Sequence, residues 1–147
     1  MPKVLYTATA TVTGGRAAGH GRTSDGALDV ELALPAEMGG EEGSAKTNPE
    51  QLFAVGFAAC FEGALGVAAR REGVEAGDAS IDSHVSLLPT DSGGFALAVK
   101  LDVTLPSVDD DDLAGRLVAA AHEVCPYSNA TRGNIDVELT ANGQPVG

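Results

Sequence analysis

Two cysteines, Cys60 and Cys125, are the side chains of this chain best suited to nucleophilic or redox work. Cys60 lies deep in the apolar run Leu52-Phe53-Ala54-Val55-Gly56-Phe57-Ala58-Ala59-Cys60-Phe61, and Cys125 ends a second helical pattern at Val124-Cys125-Pro126-Tyr127. Neither belongs to a CxxC, which excludes a zinc ribbon and a thioredoxin-type motif. They are therefore either two inert core thiols, or one thiol that reacts and one that resolves it. A reactive cysteine must be a thiolate, so something has to lower its pKa. Cys60 sits about twelve positions into its predicted helix, too far in for the helix dipole to help. An apolar site alone raises a thiol pKa. A reactive Cys60 thus needs a cation from another element. The chain offers nine: Arg16, Arg22, Arg70, Arg71, Arg116, Arg132 and three lysines. A buried arginine needs a carboxylate of its own, and Glu50 and Glu62 are the acids nearest the apolar run. Taken alone, Cys60 reads as a small buried hydrophobe.

The elements that hold these residues follow from pattern and punctuation. Val4 to Thr13 is rich in β-branched residues and predicts a strand closed by Gly14-Gly15. A short strand over Gly21 to Ser24 leads into Asp25-Gly26, a hairpin signal, and Leu28 to Leu34 predicts a third strand. Pro35 to Thr47 reads as a loop whose glycines and glutamates would repel a phosphate. Asn48-Pro49-Glu50-Gln51 opens a long helix, with Asn48 as cap and Pro49 at the first helical position. It runs to Arg70-Arg71 and stops at Gly73. Its apolar residues surround it, which predicts burial on most sides. Gly56, Gly63 and Gly66 inside it then mark places where another backbone comes close. Ser80 to Leu88 and Phe95 to Leu105 alternate as a hairpin, Ser107 to Cys125 predicts a second helix, and Ile135 to Thr140 a last strand. The order βββ-α-ββ-α-β reads as α+β.

The bulk numbers bound the function classes. A chain of 147 residues is expected to form one domain, 1–147, with a substantial core. Its net charge of −12 argues against nucleic acid and against an anionic membrane surface. The N-terminus lacks the apolar stretch of a signal peptide. No 18-residue apolar segment is free of charge or repeated glycine, so no membrane span is expected. The expected compartment is the cytoplasm, where thiols rest reduced and a disulfide is more often transient and catalytic. Asn129-Ala130-Thr131 matches a glycosylation sequon that would then be accidental. His20, His84 and His122 have no metal-ligand spacing, and Asp109 to Asp112 lacks the turn glycine of a calcium loop. No phosphate, dinucleotide or nucleophile-elbow fingerprint occurs, so neither metal nor cofactor is implied.

Two blocks resemble a known family. Asn48 to Phe53 followed by Ala58-Ala59-Cys60-Phe61, and Val124-Cys125-Pro126-Tyr127-Ser128-Asn129-Ala130-Thr131-Arg132-Gly133-Asn134-Ile135, are similar to the organic hydroperoxide resistance (Ohr) branch of the OsmC/Ohr superfamily. Val4-Leu5-Tyr6-Thr7-Ala8 and Thr13-Gly14-Gly15-Arg16 resemble it too, so the likeness covers nearly the whole chain. The resemblance implies an OsmC-like fold, an intertwined homodimer with a buried central helix, and a thiol peroxidase that reduces organic hydroperoxides to alcohols. By it, Cys60 matches the peroxidatic cysteine and Cys125 the resolving one. Arg16 matches the arginine that holds the thiolate, and Glu50 the acid that orients the arginine. It also implies a Cys60–Cys125 disulfide, regenerated by dihydrolipoamide or a lipoylated protein. Leu52, Phe53, Phe57 and Phe61 are then candidates to line a pocket for an apolar tail, against simple core packing for each. Two other readings stand beside it: an OsmC-type peroxidase of different peroxide preference, and a non-catalytic binding module with idle cysteines.

Glu50 and Cys60 are ten residues apart, roughly 15 Å along an unbroken helix and not on one face. Either the helix breaks near Gly56, or the carboxylate at Cys60 comes from a second subunit. The implied dimer predicts that Arg16 and Glu50 of one chain serve Cys60 of the other.

Overall fold

The computed structural model describes residues 2–147, which divide into two compact units, residues 2–52 and Phe53–Gly147. In the first unit three antiparallel strands follow in sequence order: β1 (Ala10–Thr13), β2 (His20–Thr23) and β3 (Asp29–Glu31). The register pairs Thr13 with His20 and Gly21 with Val30. A single helical turn, α1 (Gly15–Ala18), joins β1 to β2. The predicted first strand is shortened: residues 4–9 carry no strand pairing, and Val4, Leu5 and Tyr6 stand exposed. A strand exists only where a partner runs beside it. Its partner β2 ends at Thr23, after which the chain turns through Asp25-Gly26 and returns with Thr23 N–H donating to Leu28 O. The loop from Pro35 contains one 3₁₀ turn, Ala36–Met38, and rejoins β3's end through a bridge between Leu32 and Thr47.

The long helix α2 (Pro49–Glu72) starts and stops as its punctuation predicts. Asn48 Oδ1 accepts the Gln51 N–H at 2.8 Å. At the other end Gly73 N–H donates to Arg70 O and Val74 N–H to Ala69 O, the paired bonds of a Schellman stop. Its burial departs from the expectation. Phe57, Phe61, Ala64, Leu65, Ala68 and Ala69 are buried, whereas Gln51, Val55, Ala59 and Gly63 form an exposed stripe at helical spacing. Within one chain only one side of α2 has partners to pack on, so its second apolar side faces out. Among the described residues α2 is the one helix long and apolar enough to cross a membrane by length and composition. Its buried strip belongs instead to the protein core.

The second unit carries that core. β4 (Ser80–Pro89) and β5 (Phe95–Thr104) form a ten-pair antiparallel hairpin, closed by Thr90, whose N–H and Oγ1 both bond to Gly94. The second long helix α3 (Asp111–Val124), the short α4 (Pro126–Thr131) and strands β6 (Val137–Ala141) and β7 (Gln144–Val146) complete it. The sheet order is β4-β5-β6-β7, with β5 and β6 parallel across the α3–α4 crossover. Asp110 caps α3 by accepting from the Asp112 and Leu113 N–H groups, so the acidic run is a helix start. Val99, Leu101, Val103 and Leu139 of the sheet close over Leu117, Val118 and Ala121 of α3 and the buried strip of α2. The major elements follow in the expected α+β order. α1, α4 and β7 are additions too short for periodicity to reveal.

Candidate active site

The four sequence-predicted catalytic residues come together as two pairs, one in each unit. In the first unit, Gly14 and Gly15 both adopt left-handed backbone, with φ of 78° and 69°. Only glycine takes that conformation without strain. A Cβ on Gly14 would also lie 2.7 Å from Ala18 O. This turn aims Arg16 at Glu50, with which its Nη2 forms an ion pair. The same Nη2 lies 4.0 Å from Met38 Sδ. Arg16 Nε is buried and has no partner among the described residues, so the guanidinium keeps a donor to spare. The alternative arginine, Arg22, is engaged with Asp29 at 3.4 Å.

In the second unit Cys60 and Cys125 are both free thiols, Cys60 half-buried and Cys125 fully buried. Cys125 serves two helices. Its N–H donates to Ala121 O at the end of α3, and its Sγ accepts the Ser128 N–H at 3.5 Å at the start of α4. Pro126, at the first helical position, has no N–H to leave without a partner there. Burial pushes the Cys60 thiol above its ordinary pKa. The Tyr127 N–H, bonded toward Cys60, works against that, while Cys125 adds to the rise as hydrogen-bond partner and as like charge. No cation figures among these influences. The helix-interior location thus does what elementary electrostatics predicts: it holds the thiol neutral.

Helix α2 is continuous from Pro49 to Glu72. The first of the two alternatives for Glu50, a break near Gly56, is therefore absent, and Glu50 and Cys60 remain roughly 15 Å apart along the axis. Of the predicted tail-binding residues, Phe57 and Phe61 are fully buried core, while Leu52 and Phe53 are half-buried. The close backbone approaches expected at the α2 glycines are not found among the described residues. Gly63 has open space, Gly66 meets only the end of Arg70, and Gly56 meets a side chain, Tyr127. Tyr127 was not among the residues singled out from sequence. Its signal was Pro126, which at the first position after a capping Cys125 starts a helix. His84 pairs with Asp102 at 3.2 Å and His20 with Asp29, and no group of three metal-ligating side chains occurs among the described residues.

An α+β unit that carries two free thiols, and a unit that carries a partly buried arginine–carboxylate pair, define a class of protein. The OsmC-like protein model matches residues 39–140, and the chain belongs to that family. Within it, the likeness is to the organic hydroperoxide resistance proteins. The chain is 53% identical over 141 residues to the one from Xanthomonas axonopodis pv. citri, covering 94% of this chain and 95% of that one. It is 49% identical to organic hydroperoxide resistance protein OhrB of Bacillus subtilis, over 92% of this chain and 96% of that one. The crystal structure of an organic hydroperoxide resistance protein OsmC from Legionella pneumophila superposes with a TM-score of 0.86 at 50% identity, covering 93% and 97% of the two chains. The resemblance read from Asn48 to Phe61 and Val124 to Ile135 is borne out.

Proposed function

We propose that this protein is a cysteine-based peroxidase that reduces organic hydroperoxides. The observation that carries the reading is the meeting of two free thiols, one on α2 and one at the junction of α3 and α4. It is supported by relatives that are named for organic hydroperoxide resistance. The Cys60 thiolate attacks one oxygen of the O–O bond, the alcohol leaves, and Cys60 becomes a sulfenic acid. Cys125 attacks the Cys60 sulfur, water leaves, and the Cys60–Cys125 disulfide forms. A dihydrolipoyl group, free or on a lipoylated protein, returns both to thiols by exchange. The protein works in the cytoplasm, on hydroperoxides with apolar tails.

The thiolate requires a cation that Cys60 lacks within its own unit. Arg16, held by Glu50, is the group suited to the task, and we place it on the Cys60 of a second copy in an intertwined homodimer. An unbroken α2 and its exposed stripe of Val55, Ala59 and Gly63 are compatible with such an arrangement.

The deciding measurement is hydroperoxide consumption with dihydrolipoamide as reductant, comparing cumene hydroperoxide with hydrogen peroxide. Strong preference for cumene hydroperoxide, abolished in Cys60→Ser, is the expected result. No turnover of either peroxide by folded, fully reduced protein would leave a binding module as the better reading.

A further inference from the structure

We propose that Tyr127 is a positioning residue seated on Gly56, and that this contact sets Cys125 within reach of Cys60. The inference concerns the disulfide-forming step and rests on the peroxidase reading for its place in turnover.

The second unit supplies the observations. Tyr127 is the second residue of α4, two positions after Cys125. Its ring lies 5.8 Å from that of Phe53 and 5.7 Å from that of Phe57, and those two rings meet edge-on at 5.9 Å. All three positions on α2, Phe53, Gly56 and Phe57, share the face of Cys60, about one to two turns before it. Gly56 lets the ring come in. A Cβ there would stand 3.0 Å from the Tyr127 hydroxyl oxygen and 3.4 Å from two ring carbons. A glycine inside a helix costs about 1 kcal/mol relative to alanine. Gly63 in the same helix has nothing within 4 Å of its missing Cβ, so Gly56 alone accommodates another element.

The far side of Tyr127 is equally tied down. Its carbonyl accepts the Thr131 hydroxyl at 2.9 Å, Pro126 restricts the backbone before it, and Cys125 Sγ caps the same turn through Ser128 N–H. The first turn of α4 therefore moves as a piece, with the resolving sulfur at one end and the Tyr127 ring against α2 at the other. Pinning the ring pins the sulfur. Disulfide formation needs sulfur–sulfur approach along one line, and misplacement by about 1 Å costs such a step on the order of 100-fold. A Cys60 sulfenic acid that waits too long meets a second hydroperoxide and goes to sulfinic acid, releasing a second alcohol.

The test separates the two steps. Reduced protein is oxidised with cumene hydroperoxide or, independently of any peroxidase activity, with diamide, and disulfide formation is followed by stopped-flow and mass spectrometry. In Tyr127→Ala, disulfide formation is expected to slow about tenfold with both oxidants. Cys60 sulfenic acid should still form within about twofold of the wild-type rate, and sulfinic acid should accumulate. Gly56→Ala should slow the disulfide step severalfold, and adding Tyr127→Phe should restore it, because the oxygen that the new Cβ would strike is gone. A merely structural role would not produce that rescue. Wild-type disulfide rates in Tyr127→Ala, or no rescue in the double variant, would overturn the proposal. Disulfide formation in wild type with diamide but not with hydroperoxide would instead remove the peroxidase reading and leave the positioning contact standing.

Discussion

The two units differ in what holds them. Among the described residues the second buries Phe57, Phe61, Leu65, Leu101, Leu117 and thirteen other apolar side chains, whereas the first buries Leu32 as its one apolar core residue. The first unit instead exposes Leu5, Tyr6, Val12 and Leu28, and its organisation comes from backbone pairing, glycine-dependent turns and the Arg16–Glu50 pair. A unit with a core carries the thiols, one of them wholly inside it. A unit without one holds the Arg16–Glu50 pair and leaves Val12 and Leu28 exposed, and on the proposed reading a second copy covers that surface. On the proposed reading, the difference separates residues that react from residues that prepare another group to react.

Substitutions can break or sharpen this contrast, and the largest effect is expected in the core. Leu101→Ala, at a fully buried position, should destabilise the fold by about 2–5 kcal/mol in denaturant titration. A loss much below that would mean that the second unit is less closely packed than its burial indicates. Glu50→Ala tests the other unit: folding should persist while peroxidase activity falls about 10- to 100-fold, since removing the carboxylate releases Arg16. Mixed dimers of Cys60→Ser and Glu50→Ala chains should regain part of that activity, and no recovery despite proven mixing would end the idea of a shared site. Smaller effects are expected at the caps. Asp110→Ala and Asn48→Ala should each cost about 1 kcal/mol by the same titration, because each removes the acceptor for N–H groups of a helix's first turn.

The smallest effect is a pH dependence at His122. Burial, and then the charge of Arg132, lower its pKa from 6.5. The unfolded chain therefore binds more protons just below that pH, and stability should be fullest above 6.5 and fall as pH drops through the lowered folded value. His122→Gln should flatten this slope below pH 6.5 in urea titrations. An unchanged slope would assign it to other groups.

Much of the architecture was legible because local signals agreed. Asn48-Pro49 starts α2 and Gly73 stops it, and the β4–β5 hairpin turns at Thr90 to Gly94, whereas α3, expected from Ser107, begins only after its cap Asp110. The misses have physical causes. Residues 4–9 have strand composition but no strand beside them, and composition does not supply a partner. α2 is apolar all round, yet one chain can cover only one side of it. α4 spans six residues, too few for a period to show, although Pro126 marks its first position.

Residue types and order by themselves determined the helix and strand sequence, the two candidate thiols and, through resemblance to a family, the partners Arg16 and Glu50. Only the tertiary structure decided that Glu50 meets Arg16, that Cys125 caps one helix while ending another, and that burial raises the Cys60 thiol instead of activating it. It also decided that Gly56 is a seat for Tyr127. The reason is that propensities and caps act over a few neighbouring residues, whereas desolvation, ring packing and ion pairing depend on groups that chain order leaves far apart.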